Sequence, residues 1–316
     1  MTVSSSNGTY KAFAKVISVT SRPTCDSIYG TLTPTIIAEY SNLVHLNNTI
    51  HDKSDLFPRP IGLLHAPDYS LMLAEYMERY SSLSAVMLSF VLPRPQRTQE
   101  IVKVGISVLD KFGQLQKALF NPEYSSPDLE CKLMLGKLSH SYSLSSQARS
   151  ELASVIEQAS ARGSIRIRKG IIHGDLGPRN ILIGQSGVVF LDWEAMQSNC
   201  MPLYDCCYFV ITLVMRCVQL GIPPSQLNYI SSALFRHVAD LETQLDSCNK
   251  TDLFTRKDIW LGKCMALLQV LSAYERDAEG GGYYPLLRQR GRQIQYLQDV
   301  LGREMLDDGT IQSETG

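Results

Sequence analysis

No C-x-x-C pair occurs in this sequence, although it carries eight cysteines, at positions 25, 131, 200, 206, 207, 217, 248 and 264. That lack excludes the common zinc and dithiol redox spacings, and the irregular distribution argues against a disulfide framework. The thiols therefore read as buried and reduced, in a cytoplasmic setting. Net charge is missing too: 30 Lys and Arg stand against 31 Asp and Glu, leaving −1. Without a global field of either sign, neither nucleic acid nor an anionic membrane surface is an expected partner. Long apolar runs are also absent. The longest, Cys206 to Met215, is bounded by Asp205 and Arg216 and is too short to cross a bilayer. The opening M-T-V-S-S-S-N-G-T-Y-K has no apolar stretch of the kind a secretory signal needs, and no internal repeat or low-complexity tract follows.

What is present is a chain of 316 residues with 44% hydrophobic content, enough for one large domain or two lobes. Tyr10 to Val19 alternates as a strand does, with Tyr10, Ala12, Ala14 and Val16 on one face and Lys11, Phe13, Lys15 and Ile17 on the other. After Thr33, a candidate N-cap, Ile36, Tyr40, Leu43 and Val44 recur at helical spacing. Leu71 to Tyr76 reads as another strand, with Pro58, Pro60 and Pro67 punctuating the loops. Long helices then take over. Ile101, Val104, Val108, Phe112, Leu115 and Leu119 mark one stripe. Leu152, Val155, Ile156 and Ala159 mark a second, after Ser145 and Ser146. A β island at Gly170 to Leu191 interrupts the helices, which return from about Asp205 to Gly302 before a fraying tail. The pattern predicts an α+β fold.

The island holds the chemistry. Ile181 to Ile183 and Val188 to Leu191 form two apolar strands around Gly184-Gln185-Ser186-Gly187, which predicts a hairpin closed by a four-residue loop. If Ile183 pairs with Val188, Asn180 lies opposite Leu191, and Asn180 and Asp192 emerge side by side at the open end. Opposed residues in such a ladder lie about 5 Å apart. An amide oxygen and a carboxylate at that separation can share a small hard cation, and Mg²⁺ prefers such oxygen ligands. Asp175 sits five residues before Asn180, in a loop tightened by Gly174, Gly177 and Pro178. It is placed to accept or orient a substrate hydroxyl proton during in-line transfer.

The string H-G-D-L-G-P-R-N, followed twelve residues after its Asn by D-W-E, resembles the catalytic and metal-binding loops of the aminoglycoside phosphotransferase and choline kinase family. These are relatives of the protein kinases, whose signatures are H-R-D-x-x-x-x-N and D-F-G. The resemblance implies a two-lobed protein kinase-like fold, with a small strand-rich nucleotide-binding lobe over 1–77 and a helical catalytic and substrate lobe over 78–316. It implies Asp175 as catalytic base, Asn180 and Asp192 as Mg²⁺ ligands, and His173 as a prop for the loop. Upstream, Lys15 in F-A-K-V resembles the lysine that binds the ATP phosphates, and Glu39 in I-A-E-Y the helix-borne glutamate that pairs with it. Backbone groups near Glu75, Tyr76 and Met77 would take the adenine. Asp205 in P-L-Y-D resembles the aspartate that steadies the catalytic loop. The implied activity is transfer of the ATP γ-phosphoryl group to a hydroxyl of a small molecule such as an aminoglycoside, amino-alcohol or sugar. The alternative is a weak or inactive kinase-like protein that binds a nucleotide, metabolite or protein partner.

One departure favours the alternative. Only fourteen residues precede Lys15, and Gly8 is the sole glycine among them. Either the first strand is missing, the true start lying upstream, or a short S-S-S-N-G-T turn replaces the loop that covers the phosphates. Elsewhere the sharp readings compete with plain ones. Glu194 contacts metal-bound water or substrate, or is an exposed turn residue. Asp205 is also a candidate N-cap. R-I-R-K at Arg166 to Lys169 reads as the solvated edge of a strand rather than an anion site. Trp260, Tyr274, Tyr283 and Tyr284 read as core or surface residues rather than an aromatic wall for a cation. Asp240, Glu242, Asp246, Glu275, Asp277 and Glu279 are candidates for a carboxylate-rich acceptor pocket.

Overall fold

A computed structural model describes residues 2–5, 8–18, 25–27, 29–32, 36–50, 55–66, 68–89, 97–119, 124–140, 146–161, 167–247 and 256–279. The chain divides into two compact units, Met1–Asn121 with Gly170–Cys200, and Pro122–Lys169 with Met201–Gly316. Thr33, Ser145, Arg166, Tyr283, Tyr284 and the tail lie outside the described residues, as do the side chains of Tyr274, Asp246, Glu275, Asp277 and Glu279.

The first unit opens with β1 (Thr2–Ser5) and β2 (Gly8–Ser18), then β3 (Cys25–Ser27), β4 (Gly30–Leu32), α1 (Ile36–Thr49), β5 (Pro60–His65) and β6 (Tyr69–Glu75). β1, β2, β6 and β5 form one antiparallel sheet in that order, with Ser5 opposite Gly8 and Lys15 opposite Met72. A short strand therefore does precede the one that carries Lys15. In β6, Ser70, Met72 and Ala74 are buried in alternation, and α1 packs on the sheet. The buried positions of α1 are Ile36, Glu39, Leu43 and Leu46. The apolar stripe drawn from the sequence through Tyr40 and Val44 is thus rotated, because the helix turns Glu39 inward.

β7 (Ser81–Ser82), α2 (Leu83–Ser89) and α3 (Arg97–Ala118) complete the first segment of this unit. The chain next contributes β8 (Tyr124–Ser125), α4 (Asp128–Ser139), α5 (Ser146–Ala161) and β9 (Ile167–Arg168) to the second unit. It returns to the first with β10 (Gly170–Ile172), β11 (Ile181–Gly184), β12 (Gly187–Phe190) and β13 (Gln197–Cys200). Residues 81–82 pair with β11, giving a sheet of order β12-β11-β7, so position 77 falls inside the first unit. The edge of α3 that buries Val108, Phe112 and Leu115 meets this sheet, where Phe112 and Phe190 pack edge to face at 5.7 Å. Gln116, buried on the same helix, donates to the Ile171 carbonyl at 2.8 Å.

In the second unit α6 (Leu203–Gln219) packs against α7 (Pro224–Ser247) and α8 (Arg256–Glu279). Gly262 of α8 is closed in by Leu203 and Cys207 of α6. Trp260 is buried in this core, as the plain reading expects. From Ile167 to Lys169 the R-I-R-K segment is not a solvated edge. Arg168 and Lys169 are both buried: Arg168 donates to the two carboxylate oxygens of Glu242 at 2.9 and 3.2 Å, and Lys169 is paired with fully buried Glu130. Burial without a partner would cost each charge several kcal/mol, roughly, so the two helix carboxylates dictate what the strand carries. Glu242 is therefore engaged within the fold, while Asp240 on the same helix is exposed. Cysteines 131, 200, 206, 207, 217 and 264 are buried thiols rather than disulfides. Among the described residues no helix is long and apolar enough to cross a membrane. The fold is α+β: small antiparallel sheets shape the first unit, and helices dominate the second.

Candidate active site

The predicted hairpin forms with the predicted register: Ile183 pairs with Val188, Leu182 with Val189 and Ile181 with Phe190. The ladder runs one pair further than expected, to Gly184 opposite Gly187, so the turn is only Gln185-Ser186. Gly187 takes φ +133°, a conformation that side chains disfavour, and this lets the turn close one residue earlier. At the other end the Leu191 N–H donates to the Asn180 carbonyl at 2.8 Å, placing those residues opposite each other.

Around Asn180 the loop is held by its own hydrogen bonds. The Asn180 amide donates to the Asp175 carbonyl at 2.9 Å and to Asp175 Oδ2 at 3.0 Å. The Gly177 N–H reaches the Asp175 carbonyl, and the Asn180 N–H reaches the Gly177 carbonyl. Gly174 sits at φ +86°, and a Cβ there would lie 2.5 Å from the Ala195 carbonyl oxygen. Glycine is thus required at 174 for both reasons. His173 is fully buried, and burial lowers its pKa, so the imidazole is neutral. Nε2 lies 2.7 Å from the Leu191 carbonyl and so carries the proton, leaving Nδ1 to accept the Asp175 N–H at 3.3 Å. His173 props the loop as the sequence suggests, and it does so by joining the loop to the end of β12.

The D-W-E segment turns sharply. Asp192 adopts a left-handed conformation, φ 64° and ψ 55°, and Trp193–Ala195 form one 3₁₀ turn. The Trp193 indole is buried, packing on His173 at 4.5 Å and edge-on to Phe57 at 6.4 Å, and its N–H donates to the Phe190 carbonyl. A buried indole needs such a polar partner. This anchor leaves Asp192 and Glu194 on either side of Trp193 free to turn toward Lys15. The Lys15 ammonium bonds Asp192 Oδ1 at 2.5 Å, Glu39 Oε2 at 2.8 Å and Glu194 Oε2 at 3.1 Å. Carboxylate oxygens of Glu39, Asp192 and Glu194 all lie within 4.8 Å of one another, a grouping that could hold a metal ion.

Titration follows from this crowding. Burial alone would depress the Lys15 pKa, but the fields of Glu39 and Asp192 and their hydrogen bonds outweigh it and raise it. Glu39 is raised by burial, against the pull of Lys15. Glu194 is raised by burial and then by the Asp192 charge.

The structure therefore brings Lys15, Glu39 and Asp192 together, and it holds Asp175 to Asn180 within one loop. Sequence reasoning left Glu194 open between two roles, and the structure makes it a partner of Lys15. In the structure Glu39 lies on the buried face of α1 with Ile36, Leu43 and Leu46. At the predicted hinge the Glu75 N–H is engaged by the Arg59 carbonyl and the Tyr76 carbonyl accepts the Glu78 N–H, while the Tyr76 ring is 49% exposed. Asp205 is fully buried in the second unit and lies inside the first turn of α6, whose N-cap is Pro202, so it is not the cap.

No family model matches the sequence, and no curated protein matches it. Among solved structures the chain resembles a glucosamine kinase at TM-score 0.57 and 16% identity, over 91% of this chain and 74% of that one. It also resembles the choline kinase LicA of Streptococcus pneumoniae at TM-score 0.47 and 12% identity, over 96% of this chain and 89% of that one. A choline/ethanolamine kinase family protein of Mesorhizobium loti gives TM-score 0.47 and 13% identity, over 85% and 80% of the two chains. At such identities the likeness concerns architecture, and the architecture of this chain is the kinase-like one seen in glucosamine kinase.

Proposed function

We propose that this protein is a member of the aminoglycoside phosphotransferase and choline kinase family, acting in the cytoplasm as an ATP-dependent phosphotransferase on a hydroxyl of a small molecule. One observation carries the reading. Three carboxylates converge on a single ammonium, so the cluster holds an excess of negative charge suited to a divalent cation. The donor set is all oxygen, which fits Mg²⁺. Asp192 and Asn180 would hold it: with its NH₂ engaged on Asp175, Asn180 has its amide oxygen left to coordinate. When bound, Mg²⁺ supplies neutralisation of the phosphate charge.

The chain's own residues do the rest. Lys15, oriented by Glu39, binds the α- and β-phosphates, and backbone groups of the Glu75, Tyr76 and Met77 segment receive the adenine. Asp175 accepts the acceptor hydroxyl proton at its carboxylate, in a loop fixed by His173 and Asn180. Catalysis of this kind is positioning and electrostatic stabilisation more than covalent chemistry.

Thermal stabilisation by ATP that requires Mg²⁺ tests the binding half, because a ligand that binds only the folded state raises its stability by mass action. Asp192→Ala should lose that stabilisation. Asp175→Ala should keep it and lose transfer when both proteins are screened against amino-alcohols, sugars and aminoglycosides. ATP turnover by either variant at the wild-type rate would sink the assignment. A second reading, a kinase-like protein that binds nucleotide without transferring phosphate, draws on the short β1–β2 hairpin, in which Ser5 already faces Gly8. It predicts stabilisation by Mg²⁺ and ATP with no acceptor phosphorylated by the wild type.

A further inference from the structure

Helix α1 reaches the D-W-E turn by two routes. One runs through charge, from Glu39 to Lys15 and on to Asp192 and Glu194. The other is neutral and direct: Asn42, three residues along the same helix, donates its side-chain amide to the Trp193 carbonyl at 2.7 Å. That carbonyl belongs to the peptide unit shared with Glu194 and lies one residue after Asp192, so its direction sets where both carboxylates point. Trp193 is already held at its indole end by Phe57, His173 and the Phe190 carbonyl. Asn42 holds its backbone end, at a carbonyl that also accepts the Met196 N–H at 3.2 Å. Asparagine is a poor residue for a helix interior, a cost that this contact offsets.

We infer that Asn42 is a positioning residue, which keeps the Asp192–Glu194 turn in register with Glu39 when Lys15, still held by Glu39, exchanges Asp192 and Glu194 for phosphate. The inference rests on the proposed nucleotide site. The charged route is broken and remade as the ammonium changes partners. An amide-to-carbonyl bond has no charge to be screened or exchanged, so it persists through that change. Another asparagine of α1 provides an internal control: Asn47 donates to the Leu43 carbonyl within its own helix.

The test compares Asn42→Leu, Asn42→Gln and Asn47→Leu with the wild type, in full-length protein. Affinity for Mg²⁺ in the presence of ADP is measured by calorimetry, and backbone amide exchange is followed over residues 191–196. Asn42→Leu should weaken Mg²⁺·ADP binding about 10–100-fold, the range seen when a group that orients a metal ligand is removed. It should also speed exchange across 191–196. Asn42→Gln keeps an amide donor and should recover part of both losses, and Asn47→Leu should change neither. Wild-type affinity or wild-type exchange in Asn42→Leu overturns the inference, as does an equal loss in Asn47→Leu, which would reduce Asn42 to a helix stabiliser. If the wild type itself binds no Mg²⁺·ADP, the nucleotide-site reading fails instead, a result told apart by the wild-type titration alone.

Discussion

Two groups of buried or half-buried charge in this molecule follow opposite rules. In the second unit each cation has its own anion: Arg168 with Glu242, and Lys169 with Glu130. In the first unit one cation is shared by three anions, Lys15 with Glu39, Asp192 and Glu194. The matched pairs are almost wholly dry, whereas Lys15 and Asp192 keep 24% and 34% of their side chains exposed. A charge-matched pair shut away from water serves the fold. A cluster with surplus negative charge and access to water is stabilised by an added cation, which is what a phosphate-transfer site requires.

Breaking a matched pair should give the largest effect on folding. Lys169→Met leaves Glu130 fully buried and uncompensated, and the expected loss in chemical denaturation is about 3–5 kcal/mol. Adding Glu130→Leu to that variant should restore most of it, since two apolar side chains need no partner. A double variant as weak as the single one would show that the pair supplies specific net stability. Next comes Gly174→Ala, which combines a φ of +86° with a contact of 2.5 Å to a backbone oxygen. Strained backbone costs roughly 1–3 kcal/mol. That loss should appear in thermal unfolding together with weaker Mg²⁺·ATP binding, because the displaced Ala195 ends the turn that bears Glu194.

The comparison also explains what could be read from the sequence. The hairpin register was legible because Ile181 to Ile183 and Val188 to Leu191 are short apolar runs on either side of turn residues, and pairing them fixes where Asn180 and Asp192 emerge. Lys15 and Glu39 were legible only through likeness to a family, since a strand lysine and a helix glutamate carry no periodic signal of contact across 24 residues. The matched pairs were misread. R-I-R-K resembles a solvated edge, and the carboxylates that bury it arrive from 39 and 74 residues away. β13 was missed because Gln197-Ser198-Asn199-Cys200 lacks apolar alternation and is a strand only by pairing with β10. Tertiary partners decide such segments.

Acid should separate two of the groups by sign. His173 is kept neutral by burial, so the unfolded chain takes up its proton first, and stability is lost as pH falls below about 6.5. His173→Gln should remove that component from the pH dependence of the unfolding free energy. An unchanged slope below neutrality would show that the imidazole is charged in the folded protein.

Glu194 runs the other way and gives the smallest effect. Its pKa is raised from 4.5, so the folded state prefers it protonated, and its contribution is present below 4.5 and lost as pH rises through the folded value. At pH 7 without divalent ions, Glu194→Gln relieves repulsion from Asp192 at the cost of one bond to Lys15. Its melting temperature should therefore equal or slightly exceed that of the wild type. With Mg²⁺ and ADP added, the order should reverse, because the wild type has the greater negative charge to neutralise. A variant clearly less stable than the wild type without cation would make the cluster a balanced network after all, and the contrast with Lys169 and Glu130 would disappear.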